Sequence, residues 1–167
     1  MRALIALAAL FAAAACTTSG GPPVPSTATR AVVADATSND TCPVTIPDGA
    51  HRAGDPAGLG RLGYGNGELW VGLWPHGAVR VTTADLNGRG EIVAKFPWDR
   101  AVRGRLRVTG VRLDRDGPSV RARLPDYGMI GFQSSAIIFP TEGCWRIIGT
   151  IPGHAALTFV TSVAVVA

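Results

Sequence analysis

Three cysteines, three histidines and a run of arginines are the residues of this chain whose chemistry could define a function. Cys144, in TEGCWRII, would act as a nucleophile only with a base beside it and a setting that favours the thiolate. His51, His76 and His154 all fall in turn-like or loop-like stretches, and none adjoins Cys144 in sequence. Soft metal sites gather His and Met, yet there is no H-x-H or M-x-M array. The C-x-x-C spacing of zinc sites is also missing. Between Asp85 and Glu91 the chain has a faint calcium-loop pattern. Arg89 stands where an oxygen ligand is wanted, and Glu91 arrives too early for an EF-hand, so a plain turn is the better reading. Neither G-x-S-x-G nor H-E-x-x-H occurs. Asp114 and Asp116 sit in a turn, where Asp is favoured for backbone reasons. No catalytic residue, metal ligand or cofactor is therefore expected.

Cys144 finds its explanation in compartment and counting. MRALIALAALFAAAAC opens with Arg2, an apolar stretch from Ala3 to Ala15, and small residues before Cys16, which is a secretory signal pattern. The apolar stretch is short of the about 20 residues that a spanning helix needs. The cysteine after the small residues resembles a bacterial lipobox, with Ala13 where that pattern prefers Leu; ordinary cleavage near Cys16 is the alternative. Lipidation would consume Cys16 and leave Cys42 and Cys144 as a pair. In an oxidising compartment such a pair becomes a disulfide, here closing a long loop.

Residues 17–41 are rich in Thr, Ser, Ala, Pro and Gly, without a sustained apolar period. With the lipidated cysteine they read as a tether over 16–41. The expected organisation is a signal peptide (1–15), this tether, and one folded domain over 42–167.

That domain must be all β. Short, alternating apolar runs separated by Gly and Pro indicate about eight strands in an antiparallel, immunoglobulin-like sandwich. In GELWVGLW, Leu69, Val71 and Leu73 share one face, with Trp70 and Trp74 on the other. EIVAKFPW turns Ile92, Ala94, Phe96 and Trp98 inward. In VRGRLRVTGVRL, Val102, Leu106 and Val108 oppose Arg103, Arg105 and Arg107. Apolar parity then shifts to Val111 and Leu113, which predicts a bulge or strand boundary at Gly110. In SVRARL, Val120, Ala122 and Leu124 oppose Arg121 and Arg123. PDYGMIGFQ (125–133) reads as a loop and SSAIIFP as a strand. CWRIIGTI and ALTFVTSVAVV form a closing hairpin, with Pro152-Gly153 in a type II turn. On this parity Trp145, Ile147 and Ile151 face the core and Cys144 faces out.

The segments YGNGELWVGLWPHGAV, KFPW and GFQSSAIIFPTEGCWRIIGTI resemble a loose group of uncharacterised bacterial secreted proteins and lipoproteins, over roughly residues 42–166. The resemblance implies a small extracytoplasmic β domain and carries no established activity. Many members of the group have an acidic residue where this chain has Arg146.

Two surfaces are candidates for binding. If the strands pair, Arg103, Arg105 and Arg107, with Arg121 and Arg123 beside them, make a basic patch for anionic lipid, lipopolysaccharide or wall polymer. Removal of Arg2 with the leader leaves a formal charge of about +3 from the full chain's +4. Nucleic acid is not an expected partner of an exported protein. The plainer reading is a solvated strand face. Trp70 and Trp74 could stack on a sugar or a partner, or be covered. The expected function is thus a non-enzymatic, membrane-anchored domain outside the cytoplasm that binds a partner protein or an anionic envelope polymer, or serves structurally. An accessory metal-handling role, or an enzyme without a familiar motif, is the alternative.

The lipid reading has a direct check. Cys16→Ser should move the protein from the membrane fraction to the soluble fraction, and unchanged membrane retention would refute it.

Overall fold

The computed structural model describes residues 42–54 and 59–167. The expected signal peptide (1–15), Cys16 and the expected tether (16–41) lie outside the described residues. Nine strands are present among those described: β1 (Gly63–Gly65), β2 (Leu69–Gly72), β3 (Ala78–Val81), β4 (Ile92–Arg100), β5 (Arg107–Arg112), β6 (Arg121–Arg123), β7 (Gly131–Phe139), β8 (Gly143–Thr150) and β9 (Leu157–Val165). They form a five-stranded sheet, β1-β2-β4-β7-β6, and a four-stranded sheet, β3-β9-β8-β5. The runs β2-β4-β7-β6 and β5-β8-β9 reproduce the A-B-E-D and C-F-G orders of an immunoglobulin sandwich. One pairing departs from the antiparallel expectation. β3 lies parallel to β9, Ala78 opposite Ser162 through Val81 opposite Val165.

Alternation builds the core. β4 turns Ile92, Ala94, Phe96 and Trp98 inward, all essentially inaccessible, while Lys95 between them is exposed. β8 does the same with Trp145 and Ile147, followed by Ile151 beyond its end. The Phe159 ring packs at 5.5 Å from Phe96 and 6.0 Å from Trp98, tying β9 to β4 across the two sheets. Burying such rings is the main favourable contribution here, about 1.5–3 kcal/mol for each large apolar side chain.

Gly149 of β8 completes this contact. A Cβ placed there would meet Trp98 Cζ3 at 2.6 Å, so the indole occupies the space a side chain would need. The indole N–H donates to Ser135 Oγ at 2.9 Å, and that hydroxyl donates to the Phe96 carbonyl at 3.1 Å. The single polar atom of the ring is thereby satisfied in an apolar setting.

Some local expectations need correction. Gly110 is no bulge: β5 pairs with β8 without interruption from Arg107 opposite Thr150 to Arg112 opposite Trp145. Gly110 keeps the inward parity because a Cβ would meet Ile147 Cδ1 at 2.6 Å and Val120 Cγ2 at 2.9 Å. Val111 is left facing solvent, 45% exposed. The loop expected over 125–133 ends sooner, since residues 131–133 already belong to β7. β1, a three-residue Gly-Tyr-Gly strand, has too little alternation to be read in sequence and brings the count to nine. β2 stops at Gly72 instead of running on to Trp74.

The turn reading at Pro152-Gly153 holds. Gly153 has φ +82°, and the His154 N–H donates to the Ile151 carbonyl at 3.1 Å. Cys42 and Cys144 form the expected disulfide, with Cα atoms 5.4 Å apart and a sequence separation of 102. Cys144 faces away from the core, and the first described residues cross the outside of the four-stranded sheet. There the Thr45 N–H donates to the Val160 carbonyl at 2.8 Å.

Gly149→Ala should cost about 1–3 kcal/mol in chemical denaturation, because the indole has no room to retreat. Gly88→Ala, where an added Cβ meets nothing within 4 Å, serves as the control and should leave the midpoint nearly unchanged.

Candidate functional site

The candidate basic residues divide between two sheets. Arg103 and Arg105 precede β5 and Arg107 opens it; all three are exposed, alternating with Val102, Gly104, Leu106 and Val108. Only Arg107 lies on the edge strand β5 of the four-stranded sheet; Arg103 and Arg105 lead into it at alternate exposed positions. Arg121 and Arg123 are exposed as well, but on β6, at the edge of the five-stranded sheet. The two edges meet where the Val120 N–H donates to the Gly110 carbonyl at 3.2 Å. No strand pairing joins the arginines into one patch.

Arg121 is also engaged. Its guanidinium lies 2.5 Å from a Glu91 carboxylate oxygen, and Asn87 Nδ2 donates to that carboxylate at 2.9 Å. The hydrogen bond from Asn87, with the nearby Arg121 charge, holds the Glu91 carboxyl below its ordinary range. Asn87 Oδ1 in turn accepts the N–H groups of Arg89 and Glu91, so the 85–91 segment is a self-satisfied turn.

The tryptophan pair does not make an exposed stripe. Trp70 is only 7% exposed, its indole lying over Gly65 of the neighbouring β1, so it is withdrawn from the candidate binding surface. Trp74 is half-buried, and its indole N–H donates to the Lys95 carbonyl at 3.2 Å. Its ring walls a groove of about 600 Å³ with Cys42, His76 and Arg80. His76 there has φ +56°, the one positive φ at a non-glycine among the described residues. The histidines remain apart: His51 bonds the Gly49 carbonyl, and His154 lies 3.3 Å from Glu68. Among the described residues no three His, Cys, Asp or Glu side chains converge on a point that could hold a metal ion.

Two arginines that matter were not singled out in the sequence, and both sit on core parity. Arg100 continues the inward series Ile92, Ala94, Phe96 and Trp98, and is 1% exposed. Its guanidinium donates to three main-chain carbonyls: Gly104 at 2.8 Å, Gly128 at 2.8 Å and Gly131 at 3.3 Å. Burial pushes its pKa down, and neighbouring Asp99 opposes the shift. Arg100 therefore clamps the loop between β6 and β7 to the segment before β5. The Gly104 N–H, donating to the Met129 carbonyl at 2.8 Å, adds a further tie.

Arg112 closes the opposite end in the same way. It follows Val108 and Gly110 on the inward side of β5, with its side chain 5% exposed. It donates to Asp114 Oδ1 at 2.7 Å, to Thr141 Oγ1 and to the Glu142 carbonyl, and its guanidinium lies 5.5 Å from the Trp145 ring centre. Asp114 Oδ1 also accepts the Cys144 N–H at 3.2 Å, joining this cluster to the disulfide. The Arg112 hydrogen bonds lower the Asp114 pKa to about 2.

Comparison with protein-family models, curated proteins and solved structures found no match for this chain.

The Asp114 shift makes an acid-stability prediction. A carboxyl whose pKa is lower folded than unfolded stabilises the fold above its unfolded value and loses that contribution as pH falls. Stability should therefore decline between about pH 4 and pH 2. In Asp114→Asn the decline over that window should be shallower, as read from urea midpoints at successive pH values.

Proposed function

We propose that this chain is a non-enzymatic binding domain held outside the cytoplasm at a membrane, and that its ligand is an anionic envelope polymer. The carrying observation is that Arg103, Arg105 and Arg107 are all exposed, at alternate positions leading into the edge strand β5. None of the three makes an ion pair among the described residues within 4.0 Å, in contrast to Arg121 with Glu91. Three exposed cations along one short stretch of chain suit a linear polyanion better than one small anion. Arg123, at the other edge, adds to the positive field.

The leader pattern, the lipobox-like cysteine and the resemblance to bacterial secreted proteins and lipoproteins support the location. The disulfide is in keeping with an oxidising compartment.

Residues 42–167 should bind dextran sulfate at low salt, with affinity falling as ionic strength rises. Replacing Arg103, Arg105 and Arg107 together by Glu should weaken binding about a hundredfold, at roughly 1 kcal/mol per arginine. Equal binding by the folded triple variant would overturn the assignment.

A further inference from the structure

The loop between β6 and β7, with the first residues of β7, presents an apolar surface that the exposed arginines do not explain. Tyr127, Met129, Ile130 and Phe132 are 43%, 42%, 47% and 52% exposed. The Tyr127 and Phe132 rings pack edge to face with centres 6.0 Å apart. Exposed apolar side chains scattered singly need no explanation, but a contiguous cluster does.

This loop is also held rigidly. Arg100 donates to the carbonyls of Gly128 and Gly131, and Gln133 Nε2 donates to the Pro125 carbonyl at 2.7 Å. The Met129 carbonyl accepts the Gly104 N–H. A buried guanidinium is an expensive way to fix a loop, so the loop's shape is set before any partner arrives.

From this we infer that residues 127–132 insert into the interfacial region of an anionic lipid bilayer. The charge around the loop favours that occupant. Arg103 and Arg105 flank the segment tied to Met129, and Arg105 lines a small cavity with Tyr127. Apolar and aromatic side chains bordered by arginine suit the boundary between acyl chains and anionic headgroups. Shape points the same way. The cavity beside the loop is about 70 Å³, well below the several hundred Å³ of a ligand pocket. The loop offers protruding groups, which a fluid bilayer accommodates.

This inference rests on the reading of the exposed arginines, and the two can fail separately. Residues 42–167 with the disulfide intact would be sedimented with vesicles of phosphatidylcholine and phosphatidylglycerol in a 7:3 ratio, and assayed in parallel with dextran sulfate. Wild type should bind both. Ile130→Ser with Phe132→Ser should lower vesicle partitioning at least tenfold, a floor below the more than hundredfold that full burial of two large apolar side chains implies, while dextran sulfate binding is unchanged. Both positions are exposed, and a melting curve confirms that the sandwich persists. Vesicle binding by the folded double variant equal to wild type would overturn insertion. Wild type that binds dextran sulfate but not the vesicles would also overturn it, leaving the arginine assignment standing and a protein partner as the loop's occupant. Binding to neither would remove both.

Discussion

The fold depends on one close approach, the Trp98 indole laid against the bare backbone of Gly149. β4 and β8 hold the places of the B and F strands, which antibody domains join by a disulfide through the core. Here an aromatic ring fills that space. Its edge is satisfied by Ser135, and its neighbour across the sheets is Phe159. The ring contributes apolar burial from both sheets at once. It also requires the facing strand to give up a side chain at one position. Because the core already has its cross-sheet contact, the disulfide can sit outside, where it holds residues 42–45 against the closing hairpin.

Side-chain alternation made much of this legible. The inward series of β4 and β8, the outward Cys144, and the Pro152-Gly153 turn were all readable, since each depends on neighbours a few residues away. Where the reading failed, the deciding partner lay far along the chain. Gly110 breaks the apolar count, yet stays in register because Ile147 and Val120 fill the space beside it. Trp70 has the parity of a surface residue, but its indole lies down across Gly65 of the neighbouring β1. β3 runs parallel to β9, a pairing across most of the domain that local pattern cannot specify. The candidate arginines were identified as outward-facing, and they are. Their division between two sheet edges followed from topology alone.

Arginine has three structural situations in this domain. Arg100 and Arg112 stand on core parity and could have been flagged for that reason, as a charge where an apolar residue belongs. Each sits near the end of a strand and ties loop backbone there, one beside the apolar loop and the other beside the disulfide. Arg121 closes onto Glu91. Arg103, Arg105 and Arg107 make no such ties. Arg107 opens β5, an edge strand, with Arg103 and Arg105 just before it, and charge there also discourages edge-to-edge association with another copy. A basic edge can serve both purposes, because repelling a like-charged copy and attracting an anionic polymer follow from the same field.

The position of the disulfide has a mechanical consequence. Cys42 and Cys144 close residues 43–143 into a covalent ring, with β1 through β7 inside it. Suppose a load enters at Cys42 and leaves at the loop before β7. The shorter covalent path between those points runs back from Cys144 along β7 alone. That strand is the strap which would come taut, limiting extension, while β1 through β6 stay slack on the longer arm. At the load's entry point Cys144 sits on β8, paired on both sides by β5 and β9. Force would be delivered to an interior strand held in shear, instead of peeling the first residues from the surface one hydrogen bond at a time.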